Sequence, residues 1–214
     1  MFSKFHFSHL KTLLLVSAIT LDCKNNKYQL QNVGRFETNR LLLEPTTDAD
    51  LNILAGYLMN PEVTRYLDPL LIDKVFLTKE EALEFLNKKA ENQTIEFTIK
   101  LKDNGLPIGI IDAMIFENNL VMFGYWLGKE FQKKGYAREA AYGFCNKVFN
   151  AENVETCYIS CLEENSSSWN LAKDIIDYLQ NHNPNVKTKK EEETFNFDVK
   201  GRKINIRTIQ LKKI

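Results

Sequence analysis

The sequence predicts an α/β (α+β) protein with a mixed, mostly antiparallel twisted sheet of about seven strands flanked by helices, in the order β-α-α-β-β-β-α-β-α-β-β. Three observations carry this. Between Ile95 and Leu127, three strand-like runs are separated by the turn signals Lys102-Asp-Asn-Gly105 and Glu117-Asn-Asn119, which reads as consecutive hairpins. A helix, strand, helix succession then follows, and a crossover of that kind makes a parallel pair. Helix-capping signatures open the two helices that come before the hairpins.

Taken in order, Arg40-Leu-Leu-Leu-Glu-Pro45 is a short apolar run stopped by proline, hence a strand. Thr47-Asp48 can cap a helix whose apolar positions Leu51, Leu54, Ala55 and Leu58 recur at helical spacing, and Asn60-Pro61 breaks it. Thr78-Lys-Glu-Glu81 is a capping box for a second helix through Leu83, Leu86 and Lys89. Ile95 to Leu101 alternates cleanly, Leu106 to Phe116 returns, and Leu120 to Leu127 is the third strand. A helix from about Ala137 to Phe149, a strand at 155–162 and a helix at 167–180 come next. A final hairpin pairs about Glu193–Val199 with Lys203–Lys212 across Lys200-Gly201. The charge run at 187–193 reads as a solvated loop.

The chain has 214 residues, 28 Lys+Arg and 28 Asp+Glu, 44% hydrophobic and 26% charged residues. Those are ordinary globular values, and the zero net charge gives no basis for bulk nucleic-acid binding. The four cysteines, Cys23, Cys145, Cys157 and Cys161, are too few for a disulfide scaffold. Cys157 and Cys161 share a strand face with Ile159 and read as small apolar residues facing the core. With only His6, His9 and His182, a Ser-His-Asp triad or a His-rich zinc site has almost no material, and no metal is expected.

Residues 1–35 read as an N-terminal extension ahead of a domain at 36–214. Lys4 and Lys11 precede the apolar run Leu13–Leu21, an order similar to a secretory signal, yet no small-x-small cleavage pair follows. The run is too short to span a bilayer, so no stable membrane insertion is expected. A cytoplasmic protein with a loosely docked extension is the main reading, and export through residues 1–21 is the minor one.

One stretch carries chemistry: Gly124-Tyr-Trp-Leu-Gly-Lys-Glu-Phe-Gln-Lys-Lys-Gly-Tyr-Ala-Arg-Glu-Ala141. A strand ends near Leu127, a turn holds Gln132 to Ala137, and a helix starts at once. Unpaired N–H groups and a positive dipole end sit at such a helix start. Gly135 and Ala137 let backbone approach a ligand, and Lys133 and Lys134 add positive charge, which suits a pyrophosphate. The residues alone leave a plain strand-to-helix connection with surface lysines as an equal alternative. G-x-x-x-x-G-K-[ST] and G-x-G-x-x-G are both absent.

The pattern Q-x-x-G-x-A after a G-Y-W-L strand resembles the acetyl-CoA-binding motif of GNAT-superfamily N-acetyltransferases. Thr38-Asn-Arg40-Leu, Asn60-Pro-Glu-Val63 with Tyr66, Pro107-Ile-Gly109 and Asn165-Ser-Ser-Ser168 resemble, in the same order, segments of the branch that includes ribosomal-protein N-terminal (alanine/serine) acetyltransferases. The resemblance implies acetyl-CoA as cosubstrate and a primary-amine acceptor, either a protein N-terminus or a small amine. It implies that Trp126 and Leu127 offer backbone groups to the pantetheine arm and thioester oxygen. Gln132, Lys133, Lys134, Gly135, Tyr136 and Ala137 would wrap the pyrophosphate, Asn165 would bond the pantetheine, and Ser168 would protonate the leaving thiolate.

Two departures stand out. Met122 occupies the strand position where many relatives carry a glutamate that draws a proton from the amine, leaving Glu117, Glu163 and Glu191–Glu193 as candidate bases. The helix after Ser168 lacks the family's closing glycine and reads Lys173-Asp-Ile-Ile-Asp-Tyr178, so a longer helix is expected, with Tyr178 a second candidate acid. These departures motivate an alternative function, a non-catalytic acyl-CoA-binding or interaction domain. The residues do not specify the oligomeric state.

Overall fold

The computed structural model describes residues 34–67, 75–90, 94–116, 119–151, 154–199 and 202–214. The extension expected at 1–35 therefore lies almost wholly outside the described residues, as do Glu117 and the Lys200-Gly201 turn. The elements are β1 (Phe36–Glu37), β2 (Leu41–Pro45), α1 (Asp48–Leu58), α2 (Pro61–Thr64), α3 (Lys79–Ala90), β3 (Thr94–Leu101), β4 (Pro107–Phe116), β5 (Leu120–Leu127), α4 (Tyr136–Phe149), β6 (Thr156–Leu162), α5 (Ser166–His182), β7 (Thr188–Val199) and β8 (Arg202–Lys213). A short 3-10 turn, Lys129–Phe131, lies between β5 and α4.

Local chemistry accounts for the helix starts. Thr47 caps α1 and Asp50 reaches back to its N–H, a reciprocal capping box. At α3 the Thr78 hydroxyl accepts from the Glu81 N–H at 3.2 Å, while the Glu81 carboxylate takes the Leu77 N–H at 3.0 Å. Asn60-Pro61, expected only to break α1, also starts α2, because the Asn60 side chain accepts the Glu62 N–H at 3.0 Å and proline suits a first helical position.

Among the described residues the sheet has eight strands in the order β1-β2-β3-β4-β5-β6-β8-β7. Neighbouring strands are antiparallel except β5 and β6, which are parallel. The expected element order holds with two short additions, the helix α2 and the two-residue strand β1, whose Phe36 ring lies 6.1 Å from that of Phe97.

The charge run at 187–193 is not a loop. Its residues 188–193 form the first half of β7 at the sheet edge. An edge strand has one open side, so its lysines and glutamates reach water while its backbone still pairs with β8. Lys189 pairs with Glu191 at 2.6 Å, and Lys190 reaches Asp177 on α5 at 2.8 Å.

Helices cover both faces. On one face α4 and α5 bury Leu41, Leu43, Phe97, Ile99, Ile111 and Phe123. Phe144 of α4 is fully buried, its ring 5.4 Å from Phe97 and 6.3 Å from Phe123. On the opposite face, α1 and α3 bring Leu51, Leu54, Leu58 and Leu86 onto Ile110 and Trp126. Lys100 on β3 bridges Glu44 at 2.6 Å and Asp50 at 2.8 Å, which ties the start of α1 to the sheet.

β4 and β5 approach closely at Gly109. A Cβ there would lie 2.2 Å from the Trp126 carbonyl oxygen, a backbone atom that cannot swing aside. Gly109→Ala should therefore cost about 1–3 kcal/mol through overpacking. Urea unfolding checks this, and an unchanged midpoint would contradict so close a packing of β4 on β5.

Candidate active site

β5 and β6 pair only from Leu120↔Thr156 to Phe123↔Ile159. Past that point the sheet opens, and a cleft of about 840 Å³ lies between the two strand ends. Its lining includes Gly124–Leu127 of β5, Ile159–Cys161 of β6, Gln132, Lys133 and Gly135–Arg138 at the start of α4, and Asn165, Ser167 and Ser168 at the start of α5.

Backbone alternation decides which groups of β5 face this cleft. The Gly128 N–H donates to the Ile108 carbonyl on β4 at 2.9 Å. Residues 126 and 124, in step with it, also turn their backbone groups to β4, consistent with the Trp126 oxygen beside Gly109. Tyr125 and Leu127 turn theirs the other way, into the opening. Trp126, expected to offer backbone groups to a cofactor, turns them to β4 by this alternation, and it is among the residues that line the cleft. Leu127 keeps a cleft-facing N–H, and its carbonyl accepts from the Gln132 side chain at 3.1 Å.

The turn before α4 has an unusual backbone. Lys133 has φ 60 and Gly135 has φ 82. Positive φ at alternate residues curls successive amides toward one concave side, the geometry of an anion nest. Gly135 is the N-cap and has no side chain to occupy the helix amides. Among the described residues, none of the 133–138 N–H groups donates in the turn, loop and cap hydrogen bonds. Gln132 differs: its N–H is taken by the Lys129 carbonyl at 3.3 Å and its side chain closes the turn on Leu127, so it braces the nest and is not part of it.

The start of this helix is tied to the strand before β2. Glu139, in the first turn of α4, accepts from the Thr38 hydroxyl at 2.6 Å, the Arg40 N–H at 2.7 Å and the Arg40 Nε at 2.7 Å. Arg40 Nη1 donates to the Lys134 carbonyl at 3.0 Å, and the guanidinium lies 4.5 Å from the centre of the Tyr136 ring. Partial burial would raise the Glu139 carboxyl, but the hydrogen bonds from Thr38 and Arg40 outweigh it and hold the group below the usual glutamate range.

Across the cleft, Asn165 caps α5 by accepting the Ser168 N–H at 3.1 Å, which leaves its amide NH₂ as the donor for a ligand. The Ser168 hydroxyl lies 3.1 Å from the Tyr125 hydroxyl, which also approaches the Ser168 carbonyl at 3.2 Å. Burial pushes the Tyr125 phenol well up, so it stays a neutral hydroxyl. Cys161, expected in the core with Cys157, is half-buried in the cleft wall, its thiol pushed up to about 11 mainly by burial. Cys157 alone of the pair is fully buried.

Tyr178, the second candidate acid, lies away from the cleft and stacks between Tyr142 at 4.1 Å and His182 at 3.9 Å. The described candidate bases are also elsewhere. Glu163 is held by Asn205 and Arg207, and Glu191–Glu193 lie on the β7 edge. Among the described lining residues the one carboxylate is Glu62, and it pairs with Lys129. No group of three or more potential metal ligands occurs among the described residues.

The profile of the acetyltransferase (GNAT) domain family matches residues 40–175, which span this cleft and both of its helix starts. The chain belongs to the GNAT acetyltransferase family. It is accordingly an acetyltransferase, and enzymes of this family use acetyl-CoA. It is 29% identical over 139 residues to an uncharacterized N-acetyltransferase, YnaD, of Bacillus subtilis (strain 168), an alignment covering 64% of this chain and 79% of that protein. A GNAT-family acetyltransferase from Bacillus anthracis has the same fold, with TM-score 0.66 and 19% identity, over 83% of this chain and 98% of its own. A Vibrio cholerae spermidine N-acetyltransferase, solved with CoA and spermine, also shares the fold, with TM-score 0.60 and 18% identity over 81% and 96% of the two chains. No helix among the described residues of this GNAT protein is long and apolar enough to cross a membrane.

The lowered Glu139 carboxyl predicts acid sensitivity. A group depressed in the folded state contributes stability above its unfolded value, about 4.3, and that contribution is lost as pH falls through the lowered folded value. Glu139→Gln removes the titrating group. Between about pH 6 and about pH 3, thermal unfolding should show a larger fall in Tm for the native protein than for this variant.

Proposed function

We propose that this GNAT protein moves the acetyl group of acetyl-CoA to a primary amine by direct attack. The observation that supports this most is the set of uncommitted amides at 133–138 opening on a cleft between two separated strands. The nest and the positive end of α4 bind the diphosphate, with Lys133 on the lining adding charge and Lys134, off the lining with its ammonium 5.9 Å from the centre of the Phe131 ring, adding it from further away. The pantetheine arm runs between β5 and β6, where Asn165 NH₂ and the cleft-facing backbone of Tyr125 and Leu127 receive it. The amine nitrogen attacks the thioester carbon, and the Leu127 N–H supports the developing oxyanion. The C–S bond then breaks, and the thiolate takes the Ser168 hydroxyl proton. Tyr125 adjoins that hydroxyl and can pass a proton back to it. The amine gives its own proton to water, because no unpaired carboxylate lines the described cleft. Holding amine and thioester together supplies much of the rate.

The acceptor is a protein N-terminus or a small amine. The ribosomal-protein-branch motifs at Thr38–Arg40, Asn60–Val63 and Asn165–Ser168 support the first, and the fold shared with a spermidine N-acetyltransferase supports the second. The domain at 36–214 acts in the cytoplasm on this reading, and the three described cysteines are free thiols, which suits a reducing compartment. A non-catalytic acyl-CoA-binding domain is not favoured, since Ser168 and Tyr125 stand at the cleft with a proton to give.

Acetyl-CoA turnover against a panel of polyamines and Ala- or Ser-terminated peptides tests the proposal, read as thiol release. Ser168→Ala should lower kcat about 100-fold with little change in the KM for acetyl-CoA. Gly135→Glu should abolish acetyl-CoA binding, because it places a side chain at positive φ and an anion in the nest. Tight binding without thiol release from any acceptor would favour the binding-domain reading, and unchanged affinity in Gly135→Glu would remove the diphosphate site.

A further inference from the structure

We propose that Thr38 and Arg40 are positioning residues of the diphosphate nest, acting through Glu139 and the Lys134 carbonyl to aim its amides into the cleft; this rests on the function proposed above.

Two anions compete for the start of α4. A carboxylate in the first turn of a helix is favourable to the helix itself, because it sits at the positive dipole end. A bound diphosphate wants the same place, and two anions there repel each other. Glu139 lies in that first turn. Its oxygens are occupied by three donors, all from the Thr38–Arg40 segment, at 2.6, 2.7 and 2.7 Å. The glutamate is thus neutralised by Arg40 and held on the strand side, while the amides at 133–138 remain available.

The second half of the arrangement acts on the nest directly. A trans peptide is planar, with its C=O and its N–H pointing opposite ways. The Arg40 Nη1 bond to the Lys134 carbonyl draws that oxygen to the β2 side. The N–H of the same peptide belongs to Gly135, which lines the cleft, so pinning the oxygen directs this amide away from Arg40. Arg40 Nη2 lies 3.3 Å from where a Gly135 Cβ would stand, and the guanidinium covers the Tyr136 ring. One planar fork therefore fixes residues 134, 135, 136 and 139 together, which a flexible ammonium cannot do.

Stability alone does not explain this construction. The Arg40 side chain is 44% exposed, and half-exposed ion pairs add little to folding. The positive φ of Lys133, next to the pinned Lys134 carbonyl, also needs an outside hold, since a non-glycine residue does not keep that conformation without one. Thr38 is itself fixed by the turn into β2: its N–H donates to the Leu41 carbonyl at 2.9 Å, and its hydroxyl accepts the Leu41 N–H at 3.2 Å. The fork is thus anchored on the sheet.

The test measures acetyl-CoA affinity by calorimetry, with S-acetylpantetheine, which lacks the diphosphate, as a competitor. Arg40→Gln and Arg40→Lys should each weaken acetyl-CoA binding about tenfold or more, with the inhibition constant of S-acetylpantetheine unchanged. Thr38→Val, a milder change suited to the case where the Arg40 variants fold poorly, should weaken acetyl-CoA binding about threefold in the same selective way. Full retention of affinity in Arg40→Lys would show that only the charge matters and would overturn the proposal. Equal weakening of both ligands would overturn it too, as the mark of a general structural role. If the native protein binds S-acetylpantetheine but gains nothing from the diphosphate of acetyl-CoA, the proposed function fails at its source and this inference with it.

Discussion

The molecule depends on a sheet that stops pairing. β5 and β6 hold four residue pairs and then separate, although both strands continue. Backbone groups on the facing edges of Tyr125 and Leu127 would be costly to leave in a dry interior. The opening instead places them on a cleft, where a solvent or ligand partner can satisfy them. Both sides of the opening end in helix starts, α4 after β5 and α5 after β6, so two sets of N-terminal amides point at one space. Binding chemistry follows from this geometry with few special side chains.

The separation survives because the rest of the sheet is held from both faces. Phe144 with Phe97 and Phe123 locks α4 to β3 and β5, and Leu54, Leu58 and Leu86 with Trp126 lock α1 and α3 to the other face. Trp126 therefore belongs to a core and to the cleft wall together. The close approach at Gly109 keeps β4 against β5 at the very residues where β5 leaves β6. Packing on one side of β5 thus balances the missing partner on the other.

Much of this was legible in the residues. Alternation and turn chemistry gave the β3-β4-β5 meander, and Thr47 and Thr78 marked helix starts, because those signals are local. The stretch from Gln132 to Ala137 offers an anion site beside a plain strand-to-helix connection, and the glycine it places at 135 does take a positive φ of 82. What could not be read was non-local or set by parity. Which of Trp126 and Leu127 turns its backbone to the cleft depends on the β4 register, and Gln132 serves as a brace only because the turn folds back on Leu127. The run at 187–193 looked like a loop because its charges hide that β7 has an open edge. The Thr38–Glu139 contact joins residues about a hundred positions apart, and no spacing rule reaches across that distance.

On the proposed function, the bare amides of 133–138 receive the diphosphate of acetyl-CoA. Backbone amide resonances of nitrogen-labelled protein, followed while CoA and then pantetheine are added, test it most directly. CoA should move the 133–138 amides in a saturable way, with the Gly135 resonance among the largest shifts, and pantetheine should perturb the β5–β6 opening while leaving those amides in place. Saturation by CoA with the 133–138 resonances unmoved would contradict it.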